Sequence, residues 1–479
     1  MEKAKRKKIL LWVLIPLVSA LVIAGIVIGS VMSCAPKDGN SNTNSGTKDP
    51  PDGKDDPPVV DPPHVHQWTW TYTTTEHWQY CGADDEIRNK GFHNYPTDED
   101  TRCTSCGYER KLPTKQESMN VEFDEDGNAK ISGADKTISD LVISGTVINP
   151  ETNEEVEVVE ITDEAFKENY NLHSLTILDG VKRIGMDAFY KCSMLESIWL
   201  PKTIEYIHPQ AFQKCFNLKK IIIEETNPVY MSIYECIIDI AEKTIIVGCS
   251  GSSIPTRTSG SEYLVTSIGE YAFYGSGIAE IEIPGNIENI GPHAFDSCTA
   301  LKKFTCLDGV TKLSTYALYS CTALTDISLG DGITQIDSYA ISKCTALESI
   351  TLPQNLKTIG QNAFKDCTAL KEITFNDKLT GIDNHAFLGC TALESITLPA
   401  SILGIGTSAF GGCKKLTTII FAGTREQWEK VRTEKDWNPE GAEVVFADGS
   451  DENKPSDDDT QTQTPDPDDS AASGGGSDN

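Results

Sequence analysis

The segment Cys103-Thr104-Ser105-Cys106-Gly107 holds the most recognisable chemistry in this sequence of 479 residues. Two cysteines separated by two residues, with a glycine after them, present two thiolates to one tetrahedral metal ion. In an oxidising exterior the same pair has a second outcome, a Cys103–Cys106 disulfide. A different sulfur pattern fills the later sequence, where Cys192, Cys215, Cys298, Cys321, Cys344, Cys367, Cys390 and Cys413 recur in register. Free cysteine packs readily as a small buried hydrophobe, so these eight read as structural. Copies one strand spacing apart, about 4.8 Å, fall within nominal disulfide range, but translated copies aim their Cβ atoms in parallel, which is poor disulfide geometry. Cys236, Cys249 and Cys306 stand outside the column, and the first two are candidates to pair across an inserted hairpin. No HExxH, GxSxG, phosphate loop or diagnostic carboxylate pair occurs, so no catalytic residue is assigned and an enzyme is not expected.

The elements that position the cysteines belong to an internal repeat. Ala-Phe recurs from Ala165-Phe166 through Ala188-Phe189 and Ala211-Phe212, then, after a gap, from Ala272-Phe273 to Ala409-Phe410. Ala317-Leu318 and Ala340-Ile341 fill the same slot, and most steps are 23 residues. The cysteine follows three residues after the large residue, a leucine such as Leu347 or Leu370 three later, and then an alternating triplet such as Ile350-Thr351-Leu352. The triplet predicts a short strand whose first and third residues point inward. A following proline ends it, the Ile-Gly pair exemplified by Ile359-Gly360 turns the chain, and Ala-Phe packs the return segment against the strand. One unit cannot bury its own apolar face, so ten to thirteen rungs must stack.

These positions resemble the BspA-like leucine-rich-repeat family of bacterial surface proteins, whose repeat reads AFxxCxxLxxIxLPxxxxxIGxx. The resemblance covers about residues 161 to 421. It implies an α/β-type repeat solenoid with short parallel strands, a hairpin inserted at about 225–267 after Asn227-Pro228-Val229-Tyr230, an N-terminal cap over 119–160, and a C-terminal cap over 422–446. In that last cap Thr424 and Gln427 form a capping box, and Ala442 to Phe446 add a final strand. His66-Gln67-Trp68, Cys81 and the CxxCG segment resemble the small zinc-ribbon-like modules found beside such repeats, here residues 64–113. That resemblance implies a structural zinc on Cys81, Cys103, Cys106 and His66, with His77 and His93 as substitutes for the histidine. A stretch so short has little core, and a metal supplies the missing stability.

Residues between the inward positions face outward: Thr176, Trp199, Ile222, Glu282, Thr305, Ser328, Thr351, Thr374, Thr397 and Ile420. One reading is a cross-strand threonine ladder that suits a pleated surface. The other is a binding face, with Trp199, Thr305, Ser328, Thr351, Thr374 and Thr397 as its residues and Trp199 as the foremost contact.

A basic start, with Lys3, Lys5, Arg6, Lys7 and Lys8, precedes an apolar run from Ile9 to Met32, the pattern of a secretory or anchoring segment over 1–33. Val31-Met32-Ser33-Cys34 resembles the lipobox of bacterial lipoproteins, which implies acylation of Cys34; the alternative is an uncleaved signal-anchor. Residues 34–63 form a low-complexity tether, and 447–479 an acidic solvated tail. The net charge of −30 argues against nucleic acid as a partner. The expectation is therefore a membrane-anchored cell-surface protein that binds or adheres to an extracellular protein or glycan. The alternatives are a non-binding envelope spacer and, behind it, a surface hydrolase.

Overall fold

The computed structural model describes residues 112–256 and 265–449. Before them it describes the backbone of 69–72, 76–81 and 86–92, together with Arg102 and Thr104. The chain divides into two units, one ending at Leu112 and the other starting at Pro113. In the first, Thr69–Tyr72, Glu76–Cys81 and Glu86–Phe92 make a three-stranded antiparallel sheet, with Cys81 the last residue of its second strand. His66, Cys103, Cys106 and Cys34 lie outside the described residues.

In the second unit the alternating triplets form short parallel strands, as expected. Ile350 and Ile373 are buried, while Thr351 and Thr374 are exposed. Twelve such strands follow one another in segments of four, three, two and three, and the first, Asp140–Ile143, lies inside the stretch expected to cap the array. Each copy contains a second strand that the repeat pattern did not announce. Ile359 does not turn the chain; Thr358–Ile359 pairs in parallel with Gln335–Ile336 and with Gly381–Ile382. The residue after it continues the ladder rather than turning the chain; glycine fills that slot in some copies, and Asp337 and Asp383 in others. The Gly360 amide donates to the Ile336 carbonyl at 2.8 Å, and a Cβ there would come within 2.9 Å of that same oxygen.

The return segment is not helical, which corrects the expectation of an α/β-type repeat. Among the described residues the helices are Arg425–Trp428 and the 3-10 turn Gln116–Ser118. Most Ala-Phe segments are instead tight turns flanked by left-handed residues, such as Asn362 (φ 57°) and Asp366 (φ 59°), types that tolerate that region. The turn forms its own ladder: the Phe364 amide donates to the Ala386 carbonyl at 2.7 Å, and Phe387 to Ala409 at 2.7 Å. Along the axis the buried rings stack, Phe166 on Phe189 at 5.1 Å and Phe364 on Phe387 at 5.0 Å. At the C-terminal end Thr424 and Gln427 make the reciprocal capping box, and Glu443–Phe446 pairs in parallel with Thr418–Phe421.

The inserted hairpin splits the interior in two. Of its strands, Tyr230–Ile233, Cys236–Asp239 and Thr244–Val247, the middle one has both faces buried. Ile237 and Val247 join the N-terminal core, whereas Cys236, Ile238 and Ile245 join the C-terminal one. Cys249 lies in the core opposite Cys236, so the two stay free thiols, and the disulfide considered between them is not made. The hairpin also ends the first strand segment with side chains. The amides of Ile221 and Ile223 donate to the Glu235 carboxylate at 2.7 Å and the Ser232 hydroxyl at 3.1 Å, in place of a next strand. The joint is packed closely and leaves one polar group unmet. A Cβ on Gly248 would sit 2.1 Å from the Phe273 ring, and the Gln213 side-chain nitrogen is buried without a partner.

Gly248→Ala should therefore lower stability by about 1–3 kcal/mol through overpacking. Gly381→Ala, whose Cβ meets only a methyl at 3.8 Å, should fall within about 0.5 kcal/mol of the parent. Denaturant midpoints of the two variants check this contrast, and equal costs would count against the joint as drawn.

Candidate functional site

The cysteine column lies inside, against the Ala-Phe turns. Each thiol donates to the carbonyl of the large turn residue one rung earlier: Cys192 to Phe166 at 3.2 Å, Cys298 to Phe273 at 3.0 Å, Cys367 to Ile341 at 3.2 Å and Cys413 to Phe387 at 3.3 Å. A carbonyl in a dry turn needs a donor, and cysteine supplies a weak one while filling more apolar space, and losing less hydration, than serine would. All eight are free and buried. Burial pushes the thiols of Cys192, Cys298 and Cys367 up to about 12, and it raises Cys321 and Cys344 well above the usual range. Protonated, enclosed thiols are neither nucleophiles nor ready metal ligands. Cys306 has another place, at the inward end of the strand Lys303–Cys306, where other copies carry leucine, isoleucine or phenylalanine.

The outward column follows the strands. Trp199 is half-buried and lies between Thr176 and Ile222 on the two neighbouring strands. Thr305 is flanked by Glu282 and Ser328, Thr351 by Thr374, and Thr397 by Ile420. The inserted hairpin interrupts the column between Ile222 and Glu282, so Trp199 stands in a different segment from the threonines. Charges beside the column are paired from rung to rung: Lys371 with Glu348 at 2.8 Å, and Lys415 with Glu394 at 3.1 Å.

Two openings break this face, and the outward column alone gives no sign of them. No ladder joins the strand Asp326–Leu329 to Ser349–Thr351, and none joins Glu372–Thr374 to Ser395–Leu398. The second-strand ladder and the turn ladder run unbroken past both openings. The sequence does hold a signal, in its prolines. At the residue after the strand, Leu307 donates its amide to Ile283 at 2.9 Å and Ala422 donates to Leu398 at 2.9 Å. Pro353 and Pro399 occupy that slot at the two openings and have no amide to give. Proline is permissive rather than sufficient, since Pro201 occupies the same slot and leaves three residue pairs joined. At each opening one normally inward residue becomes partly accessible, Ile327 at the first and Phe375 at the second. The first is a cleft of about 380 Å³, lined by Ser328, Asp331, Ser349, Thr351 and Gln354 among others. The Gln354 amide, donating to the Asp331 carboxylate at 2.7 Å, closes its far end.

The repeat matches the model of the BspA-type leucine-rich repeat region in six copies, over residues 150–243, 266–393 and 334–431. The chain belongs to that family. A leucine-rich cell surface protein from Faecalibacterium prausnitzii is similar in structure, at 23% identity and a TM-score of 0.37 over 68% of this chain and 99% of that one. A leucine-rich repeat protein from Bacteroides ovatus is similar at 20% identity and a TM-score of 0.34, over 70% and 99%. The pneumococcal vaccine antigen PcpA is similar at 16% and 0.40, over 69% and 98%. Among curated proteins there is no significant match, and no catalytic family is indicated. Among the described residues no helix is long and apolar enough to cross a membrane, and no cluster of metal-ligating side chains occurs.

The buried thiols give a pH-dependent expectation. Unfolded thiols release protons near pH ~8.5, while the folded ones hold theirs to about 12. Between those values the unfolded state binds fewer protons. Stability is therefore full below pH ~8.5 and is lost as pH rises toward 12. Urea midpoints at pH 8 and pH 10 should show this loss, and Cys344→Ala with Cys367→Ala should make it shallower. In native protein both thiols should resist alkylation, and rapid labelling would contradict their burial.

Proposed function

We propose that this BspA-type leucine-rich repeat protein is a cell-surface binding protein that holds an extracellular macromolecule on the strand face of its solenoid. The carrying observation is the pair of openings in that face, where Ile327 and Phe375 come within reach of solvent in an otherwise closed interior. The rest of the array is sealed by three ladders and stacked rings, so a partner gains most on this side. The long array supplies area, and half-buried Trp199 adds an aromatic contact in a separate segment. The N-terminal run Ile9–Met32 and Cys34 anchor the chain to the membrane in this reading, and residues 64–113 carry a structural zinc on Cys81, Cys103, Cys106 and His66. A metal with four protein ligands keeps no open position for a substrate water.

The full chain should bind at least one component of a matrix, glycan or cell-surface panel. That binding should fall on Trp199→Ala, or on lysines placed at Thr351 and Thr374, and survive Cys367→Ala. Loss with Cys367→Ala but not with the face variants would overturn the assignment. Purified protein should contain one zinc per chain, and Cys103→Ser should remove it. A Cys103–Cys106 disulfide without metal would refute the zinc. Cys34→Ala should abolish lipid labelling, and unchanged labelling would point to the uncleaved anchor.

A further inference from the structure

The strand face differs in charge between its two halves. From Asp140–Ile143 to Lys220–Ile223 its strands hold one carboxylate, Asp140, and one cation, Lys220. From Glu280–Ile283 to Ser395–Leu398 they hold Glu280, Glu282, Asp326 and Glu372 against Lys303, and their other outward residues are serine and threonine. Lys303 stands in register between Glu280 and Asp326 and pairs with Asp326 at 3.7 Å. The bordering charges do not make up the difference, because they pair with one another, as Lys371 does with Glu348 at 2.8 Å. Past the strand ends Asp308, Asp331 and Asp377 outnumber Lys378.

The cleft of about 380 Å³ lies in the middle of this acidic half. Asp326 and Asp331 stand toward the two ends of the strand that forms one wall, and the partly accessible Ile327 lies between them. The Gln354 amide bonds Asp331 without neutralising its charge. An apolar floor with a carboxylate at either end suits a side chain that has an aliphatic stem and a cationic head. Arginine fits best, since its guanidinium bonds a carboxylate through two parallel bonds. An acidic glycan or an anionic lipid would meet charge of its own sign here, in a chain of net charge −30. Resting on the strand-face reading above, we infer that the acidic half of that face docks a basic segment of a partner polypeptide. One arginine of the segment lies along the cleft over Ile327, with its guanidinium on Asp326 or Asp331. Glu282 and Glu372, two rungs to either side of the strand Asp326–Leu329, meet its other cations. Such exposed pairs steer encounter more than they hold the complex, so association slows as salt rises.

The probe is a short Ser-Gly peptide carrying three arginines, with glutamine in the same three places as its control. Binding to the full chain in detergent is read by fluorescence anisotropy at about 0.15 M salt. Asp326→Asn, Asp331→Asn and Glu372→Gln together should weaken the arginine peptide at least tenfold. All three carboxylates are exposed, so Tm should hold. Asp457→Asn, Asp458→Asn and Asp459→Asn remove the same charge from the tail and should change affinity less than twofold. Thr351→Lys, which puts a cation in the cleft, should weaken the peptide as the carboxylate variant does. Equal loss in the face and tail variants would trace binding to bulk charge and overturn the inference. Equal affinity for the glutamine peptide, or no binding of either, overturns it too. Should a panel component be lost on Trp199→Ala while the carboxylate variant changes nothing, the strand-face reading stands and only its basic partner falls. Panel binding indifferent to Trp199→Ala and to Thr351→Lys alike would remove the strand-face reading, and this inference with it.

Discussion

A fixed translation of about 5 Å from rung to rung governs the described array. Rings stack at 5.0 to 5.2 Å, and the strands, the second strands and the turns must each hydrogen-bond at that same pitch. A residue is admitted to a slot only if its copy one step away can use what it offers. Cysteine fits because its thiol reaches the carbonyl one rung back. Where glycine follows the second strand, as at Gly360 and Gly406, a Cβ would meet the neighbouring backbone, while Asp337 and Asp383 hold the same slot in other copies. Left-handed turn residues are held by a ladder that leaves them no alternative path. Strain at one position is thus spread over many copies of one geometry.

The same constraint explains which parts of the fold were legible. Side chains that repeat in register announce themselves, and Ala-Phe, Cys, Leu and the alternating triplet gave the rung and its inward face directly. The second strand did not, since two residues such as Thr358–Ile359 show no alternation, and their strand character resides in backbone bonds to other rungs. The absence of helix was hidden for a similar reason. Ala-Phe with a leucine six residues after the phenylalanine is compatible with a helical face, and only the left-handed residues on either side forbid it. The openings depend on what a proline fails to donate to the preceding rung, and Pro201 shows that proline alone does not fix the result.

The candidate site was legible as a column and not as a shape. Trp199, Thr305, Ser328, Thr351, Thr374 and Thr397 do all lie on the strands and away from the core side. Ile327 and Phe375 were classed with the interior because they occupy inward slots. Their accessibility comes from a neighbour that moved away, which no residue type records. The paired charges along the same edge, such as Lys371 with Glu348, neutralise that edge locally, leaving shape and the charges on the strands themselves as the features that discriminate there.

The hairpin has a consequence for how such a chain can change length over generations. In the half after the insertion, most rungs offer the same bonds to both neighbours, so a duplicated block of 23 residues slips in without a mismatch at either end. At Lys220–Ile223 that symmetry stops. Glu235 and Ser232 are fitted to the amides of Ile221 and Ile223 alone, and a copy inserted there would meet side chains built for its predecessor. A repeat added directly against the hairpin would therefore lose both of those bonds, whereas one added between two ordinary rungs would lose none.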